Sequence, residues 1–276
     1  MMRTLEQSVG GGGPPGPVAS ARTGVSAGAP DTKFSLWSDA SASYLSNDTA
    51  MAGLSGYNFT ALTGLDYVID KAWIVGFSAG YERADVSVKA IHGPRLTEGA
   101  VFGPYASYII DQNFSLDALF NYTRVTTGFT RTAAPAASGS YGANRYSGAV
   151  NLNGFTSVDD VALNGFVGYV YSVEGTENFA DSLAAGYNLA TTRYGAVRIG
   201  GEAAYSIGDF QPYVPLTLEY QTTRTQDGTN RFAVVLGAGL RYQLSDTLKA
   251  GFALTTEEAH SHETNVTGLF NLRWNF

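Results

Sequence analysis

Along most of the chain apolar and polar side chains alternate with a period of two, in long runs. Between residues 73 and 86, Trp73, Val75, Phe77, Ala79 and Tyr81 fall on one face, and Gly76, Ser78, Gly80 and Glu82 on the other. Residues 230–244 set Phe232, Val234, Leu236, Ala238, Leu240 and Tyr242 against Arg231, Gly237, Gly239, Arg241 and Gln243. The final run sets Phe270, Leu272, Trp274 and Phe276 against Asn271, Arg273 and Asn275. A two-residue period marks a strand with one apolar face. Twelve strands are predicted, at about 34–44, 57–70, 73–86, 99–111, 114–127, 142–155, 161–174, 193–207, 209–222, 230–244, 247–256 and 264–276. Phe102, Tyr108 and Phe166 blur the alternation on the fourth and seventh.

Strand length then selects the architecture. Sandwich strands run to about 5–6 residues, whereas a tilted strand of about 9–11 crosses a bilayer. The strands predicted here are of the second kind. Connections after even-numbered strands are tight, at Asp70-Lys71-Ala72, Asp111-Gln112-Asn113, Thr156–Asp160, Gly208-Asp209 and Ser245-Asp246. Those after odd-numbered strands are expected to be longer, around 45–56, 87–98, 128–141, 175–192, 223–229 and 257–263. Short turns on one side and long loops on the other are the pattern of outer-membrane barrels, with the short side periplasmic. The fold class predicted is therefore all-β: a twelve-stranded antiparallel transmembrane β-barrel over 34–276, with strand one paired to strand twelve.

Residues 1–33 have another character. Gly10–Gly13 with Pro14, Pro15 and Pro17, then a small and polar stretch, reads as a flexible linker or passenger remnant. Only Val18–Arg22 carries a weak helical pattern. Val18–Lys33 is expected inside the lumen as a helix or extended strand, and residues 1–17 beyond its mouth. Met1–Gln7 has neither an apolar core region nor a small-residue cleavage site. An exported form is expected to draw its signal from elsewhere.

Composition removes rival functions. Charged residues are only 15% of the chain, yet mean hydropathy is −0.06, so the apolar residues are diluted evenly by polar ones. No stretch approaches the roughly 18 apolar residues of a membrane helix. With 17 basic against 24 acidic residues and no basic cluster, nucleic acid is not an expected partner. The absence of cysteine excludes disulfides, thiolate zinc sites and cysteine nucleophiles. Of the three histidines, His260 and His262 could chelate a metal from one strand face, with Glu258 or Glu263 nearby, but a solvated loop is the preferred reading. Gly10–Gly13 lacks the Lys-Ser/Thr of a phosphate loop. Neither a nucleophile elbow nor any cofactor or metal site is expected, and the chain is not read as an enzyme. Asp66, Glu82, Arg145, Arg198, Glu202, Glu219, Arg231, Arg241 and Arg273 fall on polar faces. They are expected to face the lumen, bracing its wall as ion pairs and keeping it hydrated.

Several local motifs follow one another in a telling order: Trp37 before a Gly/Ser-rich loop, Gly64-Leu65-Asp66-Tyr67, and Val75-Gly76-Phe77-Ser78-Ala79-Gly80-Tyr81 with Asp85 after it. Gly103-Pro104-Tyr105-Ala106-Ser107-Tyr108, Leu240-Arg241-Tyr242 and the terminal Phe276 complete the series. In these features residues 34–276 resemble the β-domain of type Va autotransporters. The resemblance implies an outer-membrane barrel whose N-terminal segment threads the lumen and which exports or displays an N-terminal passenger. It also implies surrounding outer-membrane lipid, the barrel-assembly machinery and periplasmic chaperones as partners. Phe270, Leu272, Trp274 and Phe276 are then the assembly signal. Signal peptide, sizeable passenger and helix before the first strand are the three family features this chain does not display. A passive outer-membrane channel or a surface adhesin with no passenger is the first alternative, and an outer-membrane hydrolase the second.

Overall fold

The computed structural model describes residues 33–47, 53–224, 231–258 and 263–276. Among these residues twelve long strands close into one antiparallel barrel. In chain order they are β1 (Phe34–Asn47), β2 (Leu54–Val68), β3 (Trp73–Val88), β4 (Gly93–Ile109), β5 (Phe114–Arg131), β6 (Ala137–Val158) and β7 (Val161–Thr176). After a two-residue pair, β8 (Phe179–Ala180) and β9 (Gly186–Tyr187), come β10 (Thr192–Tyr205), β11 (Phe210–Arg224), β12 (Phe232–Gln243), β13 (Leu248–Glu258) and β14 (Glu263–Asn275). β1 pairs with both β2 and β14, the latter from Ser35 opposite Asn275 to Asn47 opposite Glu263. Closure leaves the barrel sheet no edge for another chain to pair with. The expected lumenal course of Val18–Lys33 lies outside the described residues, except Lys33, whose carbonyl accepts the Val68 N–H at 2.9 Å.

Tight turns gather at one rim, and their sequences explain them. Asp70 Oδ1 accepts the N–H groups of Ala72 and Trp73 at 2.8 and 2.7 Å, and Asp111 Oδ1 accepts those of Asn113 and Phe114 at 2.7 and 2.9 Å. Side chains thus mimic a backbone turn. Asp159 and Gly208 take left-handed conformations, at φ 51° and 58°, which Asp tolerates and Gly adopts freely.

The other rim corrects the sequence reading. Residues 87–98 and 128–141, expected as long loops, are mostly strand, and the connections shrink to 89–92 and 132–136. β5 and β6 reach 18 and 22 residues and carry their ladder from Phe114–Gly154 up to Arg131–Ala137. Above the membrane the outer face of a strand meets water, so alternation fades although pairing continues. The segment 177–191 is a true long connection, and it holds the β8–β9 pair.

Outward side chains form an apolar band between two aromatic girdles. At the tight-turn rim Phe34 lies 5.1 Å from Tyr67, Trp73 4.8 Å from Tyr108, and Phe210 4.6 Å from Tyr242, ring centre to ring centre. Toward the opposite rim Tyr44 meets Tyr57 at 5.3 Å, and Tyr122 meets Phe102 at 5.2 Å and Tyr146 at 5.3 Å. From Phe34 to Tyr44 a strand tilted at about 40° rises roughly 25 Å, the height of an outer-membrane apolar band. No helix among the described residues is long and apolar enough to cross a membrane.

Glycine positions on the inward face are set by aromatic neighbours. Trp37 pairs with Gly64, Tyr105 with Gly76, and Tyr213 with Gly239, each across a strand pair. In all three the ring lies so close over the glycine that a Cβ there would collide with it. Phe166, which blurred the seventh strand, turns inward beside Gly200 in the same way. Backbone exposed by the missing side chain thus becomes a seat for a ring that would otherwise obstruct the lumen.

Candidate functional site: the barrel lumen

The closing seam is bridged from within. Trp37 on β1 donates its Nε1–H to the Tyr105 hydroxyl of β4 at 2.6 Å. That hydroxyl donates in turn to Asp66 Oδ1 on β2. Arg273 of β14 completes the set by holding Asp66 Oδ2. Asp66 is only 1% exposed, so its charge needs these partners. The network joins the first and last strands through side chains, in addition to their ladder.

Three further charge clusters line the wall. Arg145 on β6 holds Glu82 of β3 at 2.6 Å and Glu174 of β7 at 2.7 Å. Glu82 reaches it over Gly99 and Thr123, where a Cβ at Gly99 would crowd both. Arg198 pairs with Glu219 at 2.7 Å, and the Tyr194 hydroxyl donates to the same carboxylate. Arg241 pairs with Glu202 at 2.7 Å while its guanidinium lies 4.0 Å from the Tyr213 ring centre, a favourable cation–π approach. Arg231 lies near the outer rim, where it donates to the Thr222 carbonyl at 3.5 Å. Chemically, the arrangement is a polar wall on which four arginines are each paired with a carboxylate.

Some lumenal residues escaped the sequence reading of the charges. Trp37 and Tyr105 stood only as family markers, although strand parity puts Trp37 in one row with Ser35 and Asp39. Asp117, held by the Ser107 hydroxyl and by Asn153 Nδ2 at 2.9 Å, was readable from the parity of β5. Arg95 was not, because its stretch was read as loop.

Above this wall the segment 177–191 folds over the outer mouth. Leu189 joins Val88, Ile91, Phe129 and Tyr141 in a buried apolar cluster, and Phe179 stacks on Tyr141 at 4.7 Å and on Tyr187 at 4.9 Å. Asp181 pins the segment: its carboxylate accepts from the N–H groups of Leu183 and Ala185, at 2.9 and 3.0 Å, and from the Tyr187 hydroxyl at 2.8 Å. Arg131 stands 4.0 Å away. Burial opposes the charge on Asp181, but these donors outweigh it and hold the carboxyl below its ordinary range.

The remaining candidates are quickly placed. His92 follows the short turn 89–91 at φ 47°, and its carbonyl accepts from the Thr132 hydroxyl; His260 and His262 lie outside the described residues. No group of three or more His, Cys, Asp or Glu able to hold a metal occurs among the described residues. The spacing Gly-x-Ser-x-Gly does occur, at Gly76–Gly80, but in mid-strand, where the Ser78 hydroxyl donates to the Gly103 carbonyl at 3.3 Å. It forms no strand-to-helix elbow. Phe270, Trp274 and Phe276 are exposed on the outer face, and Leu272 shares that row.

The chain matches the autotransporter beta-domain family model over residues 36–255. No curated protein matches it in sequence. Among solved structures it is similar to the translocator domain of autotransporter NalP from Neisseria meningitidis. The TM-score is 0.77 at 12% identity, covering 88% of this chain and 89% of that one. The beta domain of the Bordetella autotransporter BrkA gives 0.75 at 17% identity, covering 88% and 100%. The transport unit of AIDA-I from Escherichia coli gives 0.66 at 11%, covering 100% and 98%.

Proposed function

The chain belongs to the autotransporter β-domain family and is an outer-membrane β-barrel, and from that premise we propose that it exports or displays an N-terminal passenger at the cell surface. The observation that carries this reading is where β1 begins. Phe34 sits beside Phe276 at the rim of tight turns, the periplasmic one in such barrels. A segment upstream of Phe34 therefore starts at the periplasmic mouth of a polar lumen. On this reading residues 1–33 are the linker or passenger remnant. The lumenal ion pairs then offer a passing chain a polar wall.

Family membership also implies insertion by the barrel-assembly machinery. We assign the recognition signal to Phe270, Leu272, Trp274 and Phe276, with periplasmic chaperones guarding the strand beforehand and outer-membrane lipid meeting the same row afterwards. A reporter domain fused ahead of Met1, in a form carrying a signal peptide, tests the export step. Protease added to intact cells should release the reporter while the barrel stays whole. A reporter protected until the outer membrane is opened would favour a passive channel.

A further inference from the structure

We propose that the outer mouth of the lumen holds a binding site for an oxyanion, a carboxylate or a phosphate, built on Arg95 and Tyr141 and covered by the segment 177–191. The proposal does not depend on passenger export. Arg95 is 3% exposed, and its Nε and Nη1 have no hydrogen-bond partner. Tyr141, 4% exposed, has a hydroxyl in the same condition. A buried charge without a partner is costly, and native proteins retain one where something completes it. The four ion-paired arginines deeper in the lumen, by contrast, all hold carboxylates.

Both groups neighbour one side chain. Arg95 on β4 faces Phe129 on β5 across the ladder, and the Tyr141 ring on β6 lies 6.5 Å from the Phe129 ring, centre to centre. Carboxylates of the covering segment are committed elsewhere: Asp181 to Tyr187 and Arg131, and Glu177 to Arg124 at 2.5 Å. One cationic donor and one neutral O–H donor, walled by Val88, Ile91 and Leu189, suit a small anion with oxygen acceptors. Neither a cation nor an apolar ligand would satisfy them.

Access requires movement. Both groups are closed to water, and the residues around them are those that Leu189 and Phe179 pack on. The segment is tied to β6 by the Ser182 N–H, which donates to the Ser138 carbonyl at 2.8 Å. Lifting the segment off β6 would uncover the donors without breaking the barrel ladder, of which it is no part. The ligand could be a free anion from the medium or, within reach of an extended chain, the carboxylate of Glu6.

Titrating inorganic phosphate into the folded full-length barrel by calorimetry, against chloride at equal ionic strength, tests this. Saturable binding that weakens about tenfold or more in Arg95→Gln and a few-fold in Tyr141→Phe is the result expected for a free anion. If phosphate binds only after Glu6→Gln is made, the site exists and the chain's own carboxylate fills it. Absence of binding in both chains overturns the proposal, as does binding unchanged by Arg95→Gln. Heat-modified electrophoretic migration verifies that each variant is folded. Should Arg95→Gln not fold, phosphate affinity unchanged in Tyr141→Phe overturns the proposal by itself.

Discussion

Arg273 and Asp66 stand 207 positions apart in the chain and meet inside the barrel at 2.5 Å. One lies on the last strand and the other on the second, so their pair passes across β1 and spans the seam. Tyr105 and Trp37 extend the same network to β4 and β1. The join is therefore held both by its ladder and by buried polar contacts.

Arg273→Met should leave Asp66 buried with no cation, at a cost of about 3–5 kcal/mol. The Arg83–Glu98 pair is about half exposed on both sides, so Arg83→Met should cost less than about 1 kcal/mol. Urea unfolding of the two variants in the same detergent checks the difference.

Gly76→Ala should drive a methyl group into the Tyr105 ring, and overpacking of this kind costs about 1–3 kcal/mol. Tyr105→Leu in the same chain should remove much of that penalty. The unfolding midpoints of the two single variants and the double variant give the coupling, which vanishes if ring and glycine are independent.

How much of this was legible varied with environment. Where a strand has lipid on one side and the lumen on the other, as with Trp73–Tyr81 or Phe270–Phe276, alternation alone located it. Beyond the membrane the rule lapses: Arg95 and Tyr141 lie in strand continuations whose outer neighbours, such as Pro94 and Ser140, face water. Their stretches read as loop, and the donors they carry went unseen. Charges on lumenal faces were readable by parity, but their partners were not. Glu82 and Arg145 meet across two intervening strands, a distance no sequence spacing encodes.

Acid should loosen the segment over the outer mouth. A carboxyl held low in the folded state contributes stability above its unfolded pKa, and that contribution disappears as pH falls through the folded pKa. For Asp181 the loss belongs below about pH 4, the ordinary Asp range. Hydrogen exchange of residues 181–187 should accelerate there, relative to the β1–β14 ladder, and Asp181→Asn should show the faster opening already at neutral pH. An acid response unchanged by Asp181→Asn would assign it to another group.

Deleting Phe276 should impair assembly more than stability. The ring stacks on Phe34 at 6.2 Å but remains half exposed at the membrane rim, so little buried area is lost. If the terminal residue is a recognition signal, the yield of heat-resistant barrel in the outer membrane should fall several-fold. A barrel refolded in detergent should be nearly as stable as the full chain. Equal membrane yields would remove the signal role.

The central claim is that the chain ahead of Phe34 passes through the lumen to the outside. Thirty-three extended residues span at most about 110 Å, against roughly 40–45 Å for the whole bilayer, so the length suffices. The direct measurement replaces Ser8, which lies outside the described residues, with cysteine in a chain that otherwise has none, exported behind a signal peptide. A membrane-impermeant thiol reagent should label it on intact cells as fully as on broken ones. Labelling only after the cells are broken would contradict translocation and leave a passive channel.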